Sequence, residues 1–230
     1  KPTGRGGARP GAGRKPGKKR RVAHRIRGQL SPHHPVHVTL KIRRELRNLR
    51  HKKRGRAIRQ ALVRCCQRDG FRIVQWSIQH DHLHLIVEAD SQPHLSSGIQ
   101  GLSVSIARRL NKLAGRAGAV FADRFHAHVL KTPREVRNAL SYVLNNFRHH
   151  AAQTFRKTTV GVADKYSSWA WFDGWKDISQ ATRTASRGED PPPVARANRW
   201  LLTTGWRKRG LIRVDEVPGK LSAEVLAAFA

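Results

Sequence analysis

Two short runs in the middle of the chain constrain its fold more than any other feature. Phe71 to Ile78 and His82 to Glu88 are rich in aliphatic and aromatic residues, and only the polar Gln79 to Asp81 separates them. Two strand-like runs this close predict an antiparallel hairpin. Upstream, Pro35 to Ile42 alternates apolar and polar residues as a half-buried strand does. Between them, Ala57, Ile58, Ala61, Leu62 and Cys65 recur at helical spacing, which predicts a helix over Gly55 to Arg68 that is stopped by Gly70. Downstream, Pro93 to Leu113 reads as a long helix, Phe125 to Leu130 as a fourth strand, and Pro133 to His149 as a helix with proline at its start. The order strand, helix, strand, strand, helix, strand, helix predicts an α+β, ferredoxin-like antiparallel sheet with helices packed on one face and the other face left for a substrate.

Charge narrows the partner. The chain carries 46 Lys and Arg against 15 Asp and Glu, a formal net charge of +31. An excess of this size repels itself unless a polyanion is nearby, and nucleic acid is the natural one. Residues 1–33 read as a flexible basic tail: the first thirty residues hold eleven Lys or Arg and no acid. The run from Gly13 to Lys19 suits either insertion into a narrow minor groove or plain attraction to phosphates. Residues 34–150 form the predicted folded domain and residues 151–230 a C-terminal extension. The extension contains a Pro-rich break from Asp190 to Pro193, read as a linker, and Trp200 and Trp206 interleaved with arginines. These tryptophans are either a stacking platform for single strands or packing anchors. Residues from about Ser222 read as a short apolar helix. No apolar run is long enough to span a bilayer and no signal-peptide pattern opens the sequence, which predicts a soluble, cytoplasmic protein.

The cysteines, Cys65 and Cys66, are adjacent, which is neither a disulfide framework nor a zinc-finger spacing. No Gly-rich loop leads into Lys-Ser or Lys-Thr, so nothing points to nucleotide hydrolysis as a driving force.

The most specific local signal is His82-Leu83-His84. Residues two apart on a strand point to the same side, so both imidazoles face one way while Leu83 and Leu85 enter the core. Two histidines so placed can present ring nitrogens to one ion, with a third ligand from another element. Exposed strand histidines without a special role are the plain alternative. On the helix from Pro133, Tyr142 and Asn146 lie four residues apart and so share a face. The chain has two tyrosines, Tyr142 and Tyr166, which narrows any search for a tyrosine nucleophile.

A strand bearing His-hydrophobic-His, followed about sixty residues later by a helical Tyr with an amide one turn on, resembles the single-tyrosine HUH transposases. Among these it is most similar to the REP-associated tyrosine transposases. The resemblance covers about Pro35 to Trp169 and also draws on Gln79 to Asp90, Phe121 to Leu130 and Lys165 to Trp169. It departs from the family where Phe147, in place of a frequent proline, follows Asn146. The resemblance implies a divalent metal, Mg or Mn, held by His82, His84 and Asn146, with Asn145, His149 and His150 as close alternatives to the amide. It implies Tyr142 as the nucleophile that cuts and rejoins single-stranded or hairpin DNA through a 5'-phosphotyrosine, in a monomer or a homodimer. His80, Arg108, Arg109, Lys112, Arg124, Lys131, Arg148 and Trp206 are candidate DNA contacts. Rival readings are a descendant that binds hairpins without cutting, a replication initiator or relaxase, and a histidine-triad nucleotide hydrolase, whose alternation Asp81 breaks.

Overall fold

The computed structural model describes residues 28–153, 161–187 and 191–219; the Gly13 to Lys19 run and the helix expected from Ser222 lie outside these residues. Its elements are β1 (Val36–Lys41), α1 (Lys52–Cys65), β2 (Gln67–Arg68), β3 (Phe71–Ile78), β4 (His82–Ala89), α2 (Gln92–Leu113), β5 (His126–Val129) and α3 (Pro133–Gln153). The five strands form one antiparallel sheet in the order β2-β3-β4-β1-β5. The protein is α+β, as the element order predicts.

Helix α1 ends three residues earlier than the periodicity suggests. Gln67 and Arg68 pair with Arg72 and Phe71 instead of continuing the helix. Gly70, expected as the helix stop, sits in that two-residue turn at φ +62°, a left-handed conformation that glycine adopts without steric cost. Helix α2 starts on a cap, with the Ser91 hydroxyl accepting from the His94 backbone N–H and a proline in the first turn. Helix α3 starts on a reciprocal cap: Thr132 Oγ1 accepts from the Glu135 N–H while the Glu135 carboxylate accepts from the N–H groups of Lys131 and Thr132.

One face of the sheet carries Val36, Val38, Leu40, Leu83, Leu85 and Val87, and these pack on Ile58 and Leu62 of α1 and Ile99 and Leu102 of α2. Burying each such side chain contributes about 1.5–3 kcal/mol. The expectation that all helices share one face is corrected by α3, which crosses the opposite face. There it covers Val74 and Ile86 with Val136, Leu140, Val143 and Leu144. The reason lies in the strands: toward its C-terminal half β4 is apolar on both sides, so both faces must be covered.

The C-terminal segment completes this second layer. Phe172, Trp175, Trp206, Ile212 and Val214 join the α3 cluster. The stretch read as a linker is bound to the sheet: Trp76 Nε1 donates to the Pro193 carbonyl at 3.1 Å and the Ala195 N–H to the Ile73 carbonyl. The buried Glu88 carboxylate accepts from the Asn198 and Arg199 N–H groups and from Arg72 Nε. Among the described residues no helix is long and apolar enough to cross a membrane.

Candidate active site on the histidine face

Where α3 leaves the second face of the sheet uncovered, that face is polar. His82 and His84 of β4 stand there side by side, and their Nε2 atoms converge to 3.0 Å. Each ring is held from behind. Asp81 Oδ1 lies 2.7 Å from His82 Nδ1, while His37 Nε2 and Thr39 Oγ1 lie 3.1 and 3.2 Å from His84 Nδ1. The sheet register makes this possible, because Thr39 of β1 stands opposite His84.

Two nitrogens each about 2.1 Å from one ion, at a right angle, lie about 3 Å apart. The observed separation fits, and with each Nδ1 held from behind it is the Nε2 atoms, here meeting each other, that face one point. Among the described residues no group of three or more His, Cys, Asp or Glu gathers around one point. The resemblance implies an amide, Asn146, as the third protein ligand. Asn146 is fully buried; its side-chain N–H lies toward the Tyr142 phenol, and its Oδ1 finds no donor among the described residues. An amide oxygen buried without a donor costs about 1–3 kcal/mol, which an ion at that oxygen would offset. Of the alternatives, Asn145 donates its amide N–H to the Arg213 carbonyl, and His149 meets the Pro218 carbonyl while its ring lies 6.1 Å from that of Tyr142. The side chain of His150 lies outside the described residues.

Tyr142 joins the site one turn before Asn146. Its ring packs edge-on against His84, with centroids 5.1 Å apart, and against His37 at 5.9 Å. Burial pushes the phenol above its ordinary value of 10, and the nearby Asn146 side chain offsets part of that rise. Burial, followed by the fields of His128 and His126, lowers His37 to about 4, so at neutral pH His37 is an uncharged partner for His84. Burial would raise the Asp81 carboxyl, but its hydrogen bond to His82 and the charges of His82, Lys41 and Arg47 hold it below the usual carboxylate range. Beside the tyrosine opens a cavity of about 550 Å³, bounded by His37, His128, Asn138 and the segment from Glu216 to Gly219.

The sequence of residues 31–146 matches the family model for IS200-like transposases. This chain belongs to the IS200-like transposase family. Among solved structures, a REP-associated tyrosine transposase bound to a REP hairpin is 17% identical, covers 76% of this chain and 93% of its own, and superposes with a TM-score of 0.49. A candidate transposase from Deinococcus radiodurans is 13% identical, covers 49% of this chain and 87% of its own, with a TM-score of 0.36. No curated protein matches the chain.

In this transposase His82, His84 and Tyr142 come together and Asn146 meets Tyr142 one turn along α3, whereas the outlying candidates disperse. His80 is exposed in the β3–β4 turn, ahead of the strand, and so does not share the face of His82 and His84. Arg124 and Lys131 are exposed at the two ends of β5. Arg108, Arg109 and Lys112 lie on α2, across the sheet from the histidines. Two expected DNA contacts are corrected. Arg148 is buried, with its guanidinium donating to the carbonyls of Val214 and Val162, where it ties the C-terminal segment to α3. Trp206 is 1% exposed and packs on Phe172, so it has no face to offer a base.

His37, Thr39 and Asp81 escaped the sequence reading as site residues. His37 and Thr39 share strand parity with a polar face, but only the β1–β4 register shows that they stand behind His84.

Proposed function

We propose that this transposase cleaves and rejoins single-stranded DNA at the foot of a hairpin, as a REP-associated tyrosine transposase, with Tyr142 as nucleophile. The observation that carries this reading is the packing of Tyr142 against His84, beside two imidazole nitrogens that converge to 3.0 Å and one turn before a buried amide whose oxygen has no donor among the described residues.

The Tyr142 oxygen attacks phosphorus, a bond forms between them, and the bond from phosphorus to the 3' oxygen breaks. The phenol gives up its proton and the departing oxygen gains one, leaving a 5'-phosphotyrosine and a 3' hydroxyl. The phosphodiester energy stays in the covalent link, so a second 3' end reverses the step without ATP, which accords with the absence of a phosphate-binding Gly-rich loop. His82, His84 and Asn146 would hold Mg or Mn, and a bound ion would polarise the scissile phosphate and stabilise the departing oxygen. His37 and Thr39 keep the His84 ring oriented, and Asp81 does the same for His82.

The test is a denaturing gel of the protein with labelled single-stranded hairpin DNA from the flanks of its own gene, in Mg or Mn and in EDTA. A slow covalent band is expected with metal, absent in EDTA and in His82→Ala. Tight binding by the wild type without any adduct would leave a hairpin-binding protein that does not cut. A further expectation concerns Asp81: Asp81→Asn weakens the orientation of His82 and should raise the metal concentration for half-maximal cleavage about 10- to 100-fold. A metal titration that superposes on wild type would remove Asp81 from this role.

A further inference from the structure

We propose that the α1–α2 layer carries a second DNA-binding surface, an arginine cradle that grips the backbone of the duplex stem on the side of the sheet opposite Tyr142. This rests on the DNA-handling function proposed above and adds a separate site to it.

Arg56, Arg59 and Arg64 of α1 and Arg109 of α2 line a cavity of about 390 Å³, with Pro191 at its edge. Among the described residues no acidic side chain lines this cavity, and neither helix contains one, while together they carry nine Lys or Arg. The Arg59 guanidinium is stacked over the Trp171 ring at 5.0 Å, which fixes its plane. Arg109 Nε is buried and has no hydrogen-bond partner among the described residues. The guanidinium groups that line the cavity offer charge-assisted donors to phosphate oxygens.

The extent of the charge selects a polymer over a free anion. Arg56 and Arg64 are eight residues apart on one helix, about 12 Å along its axis. A duplex strand presents a phosphate about every 3.4 Å of its axis, so this span meets several phosphates, whereas one inorganic phosphate meets only part of it. Helices α1 and α2 rest on the sheet face of Val38, Leu83 and Leu85, and the catalytic histidines project from the other. Backbone held in the cradle is therefore a different part of the DNA from the strand at Tyr142, and the stem is the duplex part of a hairpin substrate.

The test compares wild type with the triple variant Arg56→Ala, Arg64→Ala, Arg109→Ala in equilibrium binding over a salt series. One probe is the hairpin and the other a short single strand without the stem. For the hairpin the variant should bind roughly tenfold or more weakly, with a log–log salt slope shallower by about two to three. For the single strand the two proteins should match. The corresponding triple lysine variant keeps the charge and should retain most of the slope. Should the triple alanine variant melt lower than wild type, the exposed pair Arg56→Ala, Arg64→Ala repeats the test with a slope change of about two. Hairpin binding with unchanged affinity and slope would overturn the cradle and leave the proposed function intact, and so would equal losses on both probes. If the wild type bound neither probe, the DNA-handling reading itself would fall.

Discussion

Replacing Tyr142 with Phe should abolish the covalent DNA adduct, a loss of at least about a thousandfold, while hairpin affinity stays within about twofold of wild type. The substitution removes one oxygen and keeps the ring, so the edge-on contacts with His84 and His37 persist and the histidine pair keeps its geometry. Because burial raises the phenol above 10, wild-type Tyr142 is protonated at neutral pH, and losing that proton is part of the step that Phe cannot perform. The second tyrosine offers no substitute. Tyr166 lies under the Arg50 guanidinium at 4.6 Å, and Arg50 in turn makes a bidentate ion pair with the buried Asp164. The Tyr166 ring also presses so closely on Gly55 that a Cβ there would come within 2.7 Å of it. Its place is structural. An adduct that survived Tyr142→Phe would sink the assignment of the nucleophile; an adduct lost together with hairpin binding would assign the tyrosine to binding instead.

What could be read from the sequence followed from local periodicity. The hairpin of β3 and β4 emerged within a residue of its bounds because strand alternation and a short polar turn are properties of adjacent residues. That His82 and His84 share a face, and Tyr142 and Asn146 another, is legible for the same reason, since spacings of two on a strand and four on a helix fix shared faces without any knowledge of the fold; their roles rest on the family resemblance. Contacts between distant segments were not legible. The apolar stripe of α3 shows that it must be covered but not by which side of the sheet, and its placement follows from Val74 and Ile86 in other elements. The same holds for His37 and Thr39, whose role depends on cross-strand register. Arg148 reads from the sequence as a candidate DNA contact, yet the carbonyls that capture it lie at Val162 and Val214.

Trp206 tests the same distinction with a large expected effect. Its ring is tilted against Phe172 with centroids 5.4 Å apart, Nε1 donates to the Leu202 carbonyl at 3.0 Å, and Gly174 lies so close that a Cβ there would meet the ring at 2.1 Å. Trp206→Ala leaves a cavity in the layer that covers α3 and should cost about 3–5 kcal/mol, lowering Tm by roughly 10 °C. Well below that transition, single-strand binding should stay within about threefold of wild type. A stacking role makes the reverse prediction, a loss of about 1–3 kcal/mol in binding with little change in melting. Trp200, 53% exposed with Lys208 Nζ 5.4 Å from its ring, provides the internal control. Its replacement by Ala should shift Tm far less, since little apolar surface leaves water there. A Trp206→Ala protein that melts like wild type yet binds single strands tenfold more weakly would restore Trp206 to the DNA surface and require the C-terminal segment to open.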